Sequence, residues 1–386
     1  MTKRVSSILQ FTLVLNLLAC LVNSCKNGDK NLFTPPQKLE DGLKISSLQD
    51  QKIDEKKVAD LMDSIQKGVY SNIHSILIMR NGYLVFEKYF PGEDKIVGKL
   101  GSFNRQHHVD SLHDIRSISK SITGLAILIA LKNEQIKSLD TKILDYFPEF
   151  NKYNFGYKSE ITIRHLLTMS DGVDWNENIS YSDTTNSEIQ MNWYVKDPIA
   201  FYFSRSSTNK PGTVFNYSGG CTQLLAAIIN KTTGLPIDEF VKKEIFDPLE
   251  IKHFEWVKGN GGIPIAASGL RLTSRDLIKI GSLYLNAGAW NGQQLISKDL
   301  ITEAQKTQIS IEPDFNYGFQ IWLPTDEVSA RKITTVEANG NGGQIIAVSK
   351  DFNSIIVITA GNYNRRDMGW ESPDLYVKYI YPAMLK

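Results

Sequence analysis

The sequence predicts an α+β fold in which helices flank a central antiparallel sheet whose strands come from both ends of the chain. Strand-like apolar runs occur near both ends, at 74–90 and 345–359. The region between them is dominated by apolar residues at helical spacing. With 42% hydrophobic and 22% charged residues over 386 residues, the chain has the composition of a folded protein with a full core.

Residues 1–25 predict an export signal. Lys3 and Arg4 precede an uncharged stretch that extends to Cys25. Cys20 and Cys25 each follow small and apolar residues, as in the lipobox of bacterial lipoproteins. We expect lipidation at Cys25, because the whole apolar run precedes it, with Cys20 as the alternative. Plain secretion and an uncleaved anchor are the other two interpretations.

This signal predicts the bacterial periplasm or cell envelope as the location, with membrane attachment only through the lipid. Residues 26–57 are polar and contain Pro35-Pro36, which predicts a tether. Residues 58–386 are then the functional domain.

Two strand pairs are predicted. Asn81-Gly82 separates two apolar runs within 74–90, which is the strongest short signal for a hairpin. Ile345–Val348 and Ile355–Thr359 form a similar pair near the other end. These pairs supply the expected sheet.

The helices are predicted from periodicity. The segment 118–129 is apolar almost all round, which indicates a buried helix. Residues 223–233 form a second helix that stops at Gly234. Further helices are expected at 277–285 and 372–385. The stretch from about 135 to 265 is expected to be a mostly helical subdomain.

Composition excludes several function classes. The formal net charge is +1, with no basic block, so no nucleic-acid partner is expected. Three cysteines are too few for a disulfide framework. The six histidines show no metal-ligand spacing in the sequence, and His107-His108 is expected to lie in a solvated loop. We therefore expect no metal and no cofactor. Cys221 is expected to be a small core residue.

Ser117-Ile118-Ser119-Lys120 opens the buried helix. Residues three apart share a helix face, so Ser117 Oγ and Lys120 Nζ can meet. Burial is expected to lower the pKa of Lys120, which would let its neutral amine accept a proton. The backbone N–H of Ser117 would form half of an oxyanion hole.

Two further motifs accompany this pair. Tyr217-Ser218-Gly219-Gly220 precedes the second helix, and a phenol beside the lysine can shuttle the serine proton to the leaving group. Asn341-Gly342-Gly343-Gln344 leads into a strand, where glycines let a substrate lie close to the backbone.

These three motifs resemble those of the serine β-lactamase/penicillin-binding-protein superfamily, in particular its class C-like esterases, D-amino-acid peptidases and oligoamide hydrolases. The resemblance extends from about Ile53 to the C-terminus and includes the segment 165–172. It implies a β-lactamase/transpeptidase-like fold. It also implies that Ser117 is the nucleophile, Lys120 its general base and Tyr217 the proton shuttle. The implied oxyanion hole is the backbone N–H of Ser117 and of Gln344.

The sequence departs from the family pattern at two substrate-binding positions. Gly219 stands where the second motif usually has asparagine, and Asn341 stands where the third usually has lysine or histidine. Asn341, Gly342 and Gly343 are the implied substrate-binding residues of the third motif. Asparagine supplies no charge for a substrate carboxylate, unless Arg116, Arg271 or Arg275 replaces the missing cation.

The sequence therefore predicts an exported serine hydrolase that cleaves a small ester or amide, or a peptide, through an acyl-serine. The alternatives are a penicillin-binding-type D,D-peptidase or β-lactamase, and a binding protein that deacylates slowly or is not catalytic. The aromatic segment Trp193–Ser207 is the expected selectivity wall. The sequence predicts no oligomeric state.

Overall fold

A computed structural model describes residues 33–365 and 371–385. The predicted export signal and both candidate lipidation sites, Cys20 and Cys25, lie outside the described residues. Among the residues that are described, no helix is both long and apolar enough to span a bilayer.

A ten-stranded mixed sheet is the centre of the molecule. Its strand order is β1-β3-β2-β17-β16-β15-β13-β12-β11, and β14 pairs with β13. The strands are β1 Lys44–Ile45, β2 Ile73–Arg80, β3 Tyr83–Tyr89, β4 Pro91–Asp94, β5 Phe103–Gln106, β6 His113–Asp114, β7 Glu255–Trp256, β8 Leu270–Leu272, β9 Ala289–Trp290, β10 Gln293–Gln294, β11 Ile309–Glu312, β12 Phe315–Tyr317, β13 Trp322–Val328, β14 Arg331–Thr334, β15 Val336–Gly340, β16 Gln344–Ser349 and β17 Ser354–Ala360.

Helices cover both faces of this sheet. The α-helices are α1 Glu55–Gln66, α2 Ile118–Lys132, α3 Ile163–Leu167, α4 Ser187–Ile189, α5 Pro198–Ser204, α6 Gly219–Thr233, α7 Ile237–Val241, α8 Ser274–Leu285, α9 Lys298–Ala304, α10 Glu371–Leu375 and α11 Tyr381–Met384. Short 3₁₀ segments occupy Ile143–Asp145, Pro148–Tyr153 and Gly156–Glu160, and π-helical turns occupy Gln190–Tyr194, Lys242–Phe246 and Tyr376–Ile380.

The central strands are apolar on both sides because each side faces a separate core. On β2, Leu77 and Met79 join the core beneath α2, α6 and α8. Their neighbours Ile76 and Ile78 join the core beneath α1 and the C-terminal helices. Side chains alternate between the faces of a strand, so a strand covered on both faces has an almost continuous apolar sequence.

The predicted sheet is confirmed. The hairpin of β2 and β3 turns at Asn81 and Gly82, with φ of 52° and 80°, as a type I′ turn requires. β17 pairs antiparallel with β16 and with β2, so strands from the two ends of the chain are neighbours.

The predicted tether ends too late. Within the expected range 26–57, Lys44–Ile45 pairs in parallel with β3, and Leu48 and Ile53 are buried. Arg275 also donates a hydrogen bond to the carbonyl of Gln37. Although the stretch is mostly polar, its apolar residues are buried against the domain, and this burial is favourable enough to hold the segment there.

The predicted helices are present with shifted ends. α6 begins at Gly219 rather than at residue 223, because the Ser218 side chain caps it by accepting from the N–H of Cys221. Gly234 ends it with φ of 74°. Cys221 is buried, as expected. α2 packs against α6. The start of α2, with Ser117, and the start of α6, with Tyr217-Ser218, lie next to each other.

Candidate active site

Ser117 is the residue before the first turn of α2. It follows Arg116, whose φ of 51° is unusual for a residue with a side chain. The Ser117 side chain makes no capping bond to the helix. Instead, Lys120 Nζ donates to Ser117 Oγ across 3.1 Å. The spacing of three residues therefore brings the two groups together as predicted.

Tyr217 completes the trio. The Lys120 ammonium lies 4.7 Å from the centroid of the Tyr217 ring. Burial raises the pKa of the Tyr217 phenol, while the charge of Lys120 and a hydrogen bond with Ser117 oppose that rise. All three expected groups are thus in mutual contact.

Two buried carboxyl groups beside Lys120 were missed by the sequence analysis. Glu177 Oε1 lies 3.5 Å and Glu188 Oε2 lies 3.9 Å from Lys120 Nζ. Their side chains are 0% and 2% exposed, which is rare for glutamate outside a paired site. Neither residue belongs to one of the three motifs: the loop 174–177 was considered only as a pocket wall, and no sequence signal pointed to Glu188.

The pKa of Lys120 is raised, contrary to the expectation from burial. Burial disfavours the ammonium and would by itself lower the pKa of Lys120. Interactions with Tyr217, Glu188 and Glu177 outweigh burial, and the net direction is upward. The prediction was wrong because it considered the desolvation of the lysine without its interactions with Tyr217 and the two carboxyl groups.

The two carboxyl groups share one proton near neutral pH. Burial and the charge of Glu188 raise the pKa of Glu177 to about 8, although Lys120 opposes the rise. Burial acts against ionisation of Glu188 too, but Lys120 and hydrogen bonds from Ser268 and Asn192 help to lower its pKa. Two carboxylates this close cannot both ionise without cost.

Gly219 contacts the Glu177–Glu188 pair. It is not among the described residues that line the pocket at Ser117. Its N–H donates to Glu177 Oε2 across 2.6 Å. A Cβ at residue 219 would lie 3.1 Å from Glu188 Cδ and 3.2 Å from Glu177 Oε2. The absence of the family asparagine is thereby explained, since the Glu177 and Glu188 carboxyls fill the space beside residue 219.

A pocket of about 500 Å³ opens onto Ser117. Tyr217, Phe315 and Trp322 form an aromatic wall in which Tyr217 stacks on Trp322 at 5.5 Å. The expected selectivity wall, Trp193–Ser207, does not line this pocket. Trp193 instead lines a smaller pocket on the other side of Ser117.

The turn between β15 and β16 carries Asn341, Gly342, Gly343 and Gln344, and all four line the pocket. Gly342 and Gly343 have φ of 97° and 91°, a region that favours glycine. The Asn341 amide is held by Asn364: it donates to Asn364 Oδ1 across 3.0 Å and accepts from Asn364 N–H across 2.7 Å.

Two of the three arginines that could replace the missing cation of the third motif are already paired with other carboxylates. Arg271 pairs with Asp114 and Glu255, and Arg275 pairs with Asp41 and Glu87.

The charges differ between the two described pockets that Ser117 lines. The larger pocket is lined by the acidic side chains of Asp326, Glu337 and Asp374, together with Arg365. The smaller pocket, of about 270 Å³, is lined by Lys95, Lys99 and Arg116 beside Ser117 and Glu188.

Three histidines that the sequence left unassigned meet outside these pockets. His74, His107 and His113 are all buried, and one ring nitrogen of each lies within 4.8 Å of the others. The expectation of a solvated His107 was wrong. His74 and His113 lie on separate strands and His107 follows a third, so their proximity leaves no spacing pattern in the sequence.

Comparisons with known proteins identify the family of the chain. A protein-family model described as Beta-lactamase matches residues 58–371. "Protein flp" of Staphylococcus aureus strain MW2 is 28% identical over 51% of this chain. That match spans only 37% of the relative's own length.

Two further relatives are hydrolases. The 6-aminohexanoate-dimer hydrolase of Paenarthrobacter ureafaciens is 24% identical over 69% of this chain and 68% of its own. The solved structure of EstCE1, a hydrolase with promiscuous acyltransferase activity, superposes with a TM-score of 0.69 and 14% identity over 87% of this chain and 100% of its own.

Proposed function

The chain belongs to the beta-lactamase family, and from that premise we propose that it is an exported serine hydrolase that cleaves a small ester or amide through an acyl-serine. One observation carries the proposal. A serine Oγ in hydrogen-bond contact with a buried lysine, at 3.1 Å, opens onto a pocket beside a tyrosine. This is the geometry of an activated nucleophile.

In the proposed reaction, Ser117 Oγ attacks the carbonyl carbon of the substrate. The backbone N–H groups of Ser117 and Gln344 stabilise the oxyanion that forms. The serine proton passes to the Lys120–Tyr217 pair and then to the leaving group. Water attacks the acyl-serine in the second step, again with the pair as base.

The raised pKa of Lys120 adds a condition to this scheme. Lys120 is an ammonium and Tyr217 a phenol at neutral pH, because the pKa of each is raised. The pair must lose one proton before it can accept that of the serine. Glu177 and Glu188 therefore act as positioning residues that set the pH at which the nucleophile becomes active.

Ester or amide hydrolysis is favoured over β-lactam hydrolysis. The third motif offers no cation at residue 341, and the Asn341 amide is already bonded to Asn364. A charge-assisted bond to a substrate carboxylate is roughly twice as strong as a neutral one. Efficient hydrolysis of cephalosporins, faster than that of simple esters, would contradict this preference.

The test is steady-state hydrolysis of a short-chain p-nitrophenyl ester. We expect multiple turnovers by the wild type, background rates for Ser117→Ala, and unchanged rates for Ser204→Ala, a change at an exposed serine. An acyl adduct should be found on Ser117 by mass spectrometry. A burst equal to the enzyme concentration without turnover would favour the binding-protein alternative. Activity retained by Ser117→Ala would refute the proposed nucleophile.

The charges around Ser117 favour a substrate with an ammonium at one end and a carboxylate at the other. Of the two pockets that Ser117 lines, the larger is net acidic, with three carboxyl groups to one arginine, and the smaller is net basic, with three cationic side chains to one carboxyl group: Asp326, Glu337, Asp374 and Arg365 in the first, and Lys95, Lys99, Arg116 and Glu188 in the second. The linear dimer of 6-aminohexanoic acid has this charge pattern around a central amide. The relative named as its hydrolase adds weight to this choice.

In this dimer the acyl half carries the ammonium and the leaving amine carries the carboxylate, so capping one end at a time tests each charge separately. We expect N-acetylation and methyl esterification each to reduce kcat/KM about tenfold, equivalent to about 1.4 kcal/mol. Asp326→Asn should remove the penalty of N-acetylation, and Lys99→Gln that of methyl esterification. Equal rates for the dimer and both capped forms would refute the charge preference but not the hydrolase.

A further inference from the structure

The buried histidines His74 and His113 form a hydrogen-bond chain that lacks a proton, and the buried His107 lies beside them. His74 Nδ1 and His113 Nε2 are 2.8 Å apart. The outer nitrogens, His74 Nε2 and His113 Nδ1, face Asn72 Oδ1 at 3.1 Å and the Asp114 carbonyl at 3.1 Å. Both outer partners are acceptors.

The orientation of the Asn72 amide is fixed, so its oxygen does face His74. Asn72 Nδ2 donates to the Glu93 carbonyl across 2.8 Å, and Asn72 Oδ1 accepts from the Glu93 N–H across 2.9 Å. His74 Nε2 must therefore carry a hydrogen, and so must His113 Nδ1. A neutral imidazole carries only one hydrogen. Two lone pairs then point at each other across 2.8 Å.

A cation between these nitrogens would relieve the conflict, and a proton is a poor candidate. A proton shared between His74 Nδ1 and His113 Nε2 would satisfy those two nitrogens but would leave the buried His107 Nε2 without a hydrogen-bond partner. Among the described residues, the carboxylate recorded beside these histidines is that of Asp94, which also pairs with Arg105 at 2.8 Å.

His107 provides a further indication that a cation is missing from this cluster. Its Nε2 is buried and has no hydrogen-bond partner. The His107 ring stacks on that of His74, with centroids 4.0 Å apart. A buried, unpartnered ring nitrogen beside two opposed lone pairs is an incomplete set of ligands.

We propose that His74, His107 and His113 bind one divalent transition-metal ion, of which Zn²⁺ is the best fit. Three neutral imidazoles suit zinc, and Zn–N bonds of 2.0–2.1 Å in a tetrahedral site place ligand nitrogens about 3.3 Å apart. The present separations range from 2.8 Å to within 4.8 Å, so modest ring rotations suffice. Asp94 Oδ1 is 3.9 Å from His113 Nε2 and is placed to be the fourth ligand.

The residues around the histidines make the outer-shell contacts that such a metal site needs. Metal-bound histidines usually donate their second N–H to a carbonyl or similar oxygen, as His74 and His113 do here. The backbone packs tightly against His74, since a Cβ on Gly92 or Gly361 would lie within 2.5 Å or 2.7 Å of its ring. The ring is thereby held with Nδ1 facing inward.

The ion would join three parts of the fold. His74 is on the central strand β2, His107 follows β5, and His113 is on β6, which leads to Ser117. The role of the metal is structural: it fastens the segment before the nucleophile to the sheet. It adds a site beyond the proposed hydrolysis and does not depend on it.

The test uses the tag-free protein after removal of metals by a chelator. We expect one equivalent of Zn²⁺ to bind by calorimetry and to remain after gel filtration, and the Tm to rise with Zn²⁺. Co²⁺ should give the visible d–d bands of a tetrahedral site. His107→Ala should abolish all three effects. His108→Ala, which changes the exposed neighbour, should leave them intact.

Two results would overturn the proposal: failure of the wild type to bind either metal, or unchanged binding by His107→Ala. If His107→Ala does not fold, NMR of the Co²⁺ form decides. Three exchangeable, strongly shifted imidazole N–H signals support the site, and fewer refute it.

Discussion

Glu177 and Glu188 control how many protons the active site holds. With Glu177 protonated and Glu188 ionised, the pair balances the charge of the Lys120 ammonium near neutral pH. When Glu177 loses its proton at alkaline pH, Lys120 faces two negative charges. The resting protonation state of Lys120 thus follows from its neighbours rather than from its own burial.

The first prediction concerns Glu188→Gln. The Lys120–Tyr217 pair must lose a proton to act, so kcat/KM should rise toward alkaline pH. Above pH 8, the substitution leaves one negative charge beside Lys120 instead of two. The pKa of Lys120 should therefore fall, and the rise of kcat/KM toward alkaline pH should begin about 1 pH unit lower.

Glu239→Gln makes the same chemical change at an exposed helical position and serves as the control. Its profile should match that of the wild type. A Glu188→Gln profile that keeps its midpoint but loses amplitude would indicate a merely structural role for Glu188.

At the scale of elements, the turn between β15 and β16 is the most tightly constrained part of the pocket. Gly342 has φ of 97°, and a Cβ there would lie 2.5 Å from Tyr363 Cδ1. The Tyr363 hydroxyl is bonded to Asp94 across 3.1 Å, and the Arg116 guanidinium lies 4.4 Å from the Tyr363 ring. Displacing Tyr363 would therefore disturb the residue before the nucleophile.

The second prediction is that Gly342→Ala lowers both stability and activity. We expect a loss of about 1–3 kcal/mol in the free energy of unfolding, measured with urea, from steric overlap in addition to backbone strain. Gly68→Ala is the matched control, because its φ is 74° and nothing lies within 4 Å of the added Cβ. Equal losses of stability in the two variants would mean that backbone strain alone accounts for the effect of Gly342→Ala.

At the scale of the molecule, the sheet has an apolar core on each face. The larger core lies beneath α2, α6 and α8, and so supports the helices that carry Ser117 and Tyr217. The other core includes Leu48 and Ile53, which docks the segment before α1 onto the domain. Any tether between the domain and a membrane is therefore shorter than the range 26–57.

The third prediction is that Cys25 carries a lipid. Cys25→Ser should abolish the labelling of the expressed chain by radioactive palmitate and release it from the membrane fraction. Cys20→Ser, in the same leader, should retain both. Labelling that is lost only in Cys20→Ser would assign the alternative site, and no labelling of the wild type would refute lipidation.

The sequence by itself determined the sheet, the main helices and the trio of Ser117, Lys120 and Tyr217. Each leaves a local signal: Asn81-Gly82 specifies a turn, apolar periodicity specifies a buried helix, and a spacing of three specifies a shared helix face. The position of Tyr217 came from a family motif at the start of a helix. Such signals depend only on residues near each other in the chain.

Only the tertiary structure decided the electrostatics. Glu177 and Glu188 reach Lys120 from a loop and from the short helix α4, and together with Tyr217 they reverse the predicted direction of the pKa shift of Lys120. The three histidines likewise converge from two strands and the residue after a third. Coulomb energies and hydrogen-bond balance depend on distances through space, and sequence separation does not encode those distances.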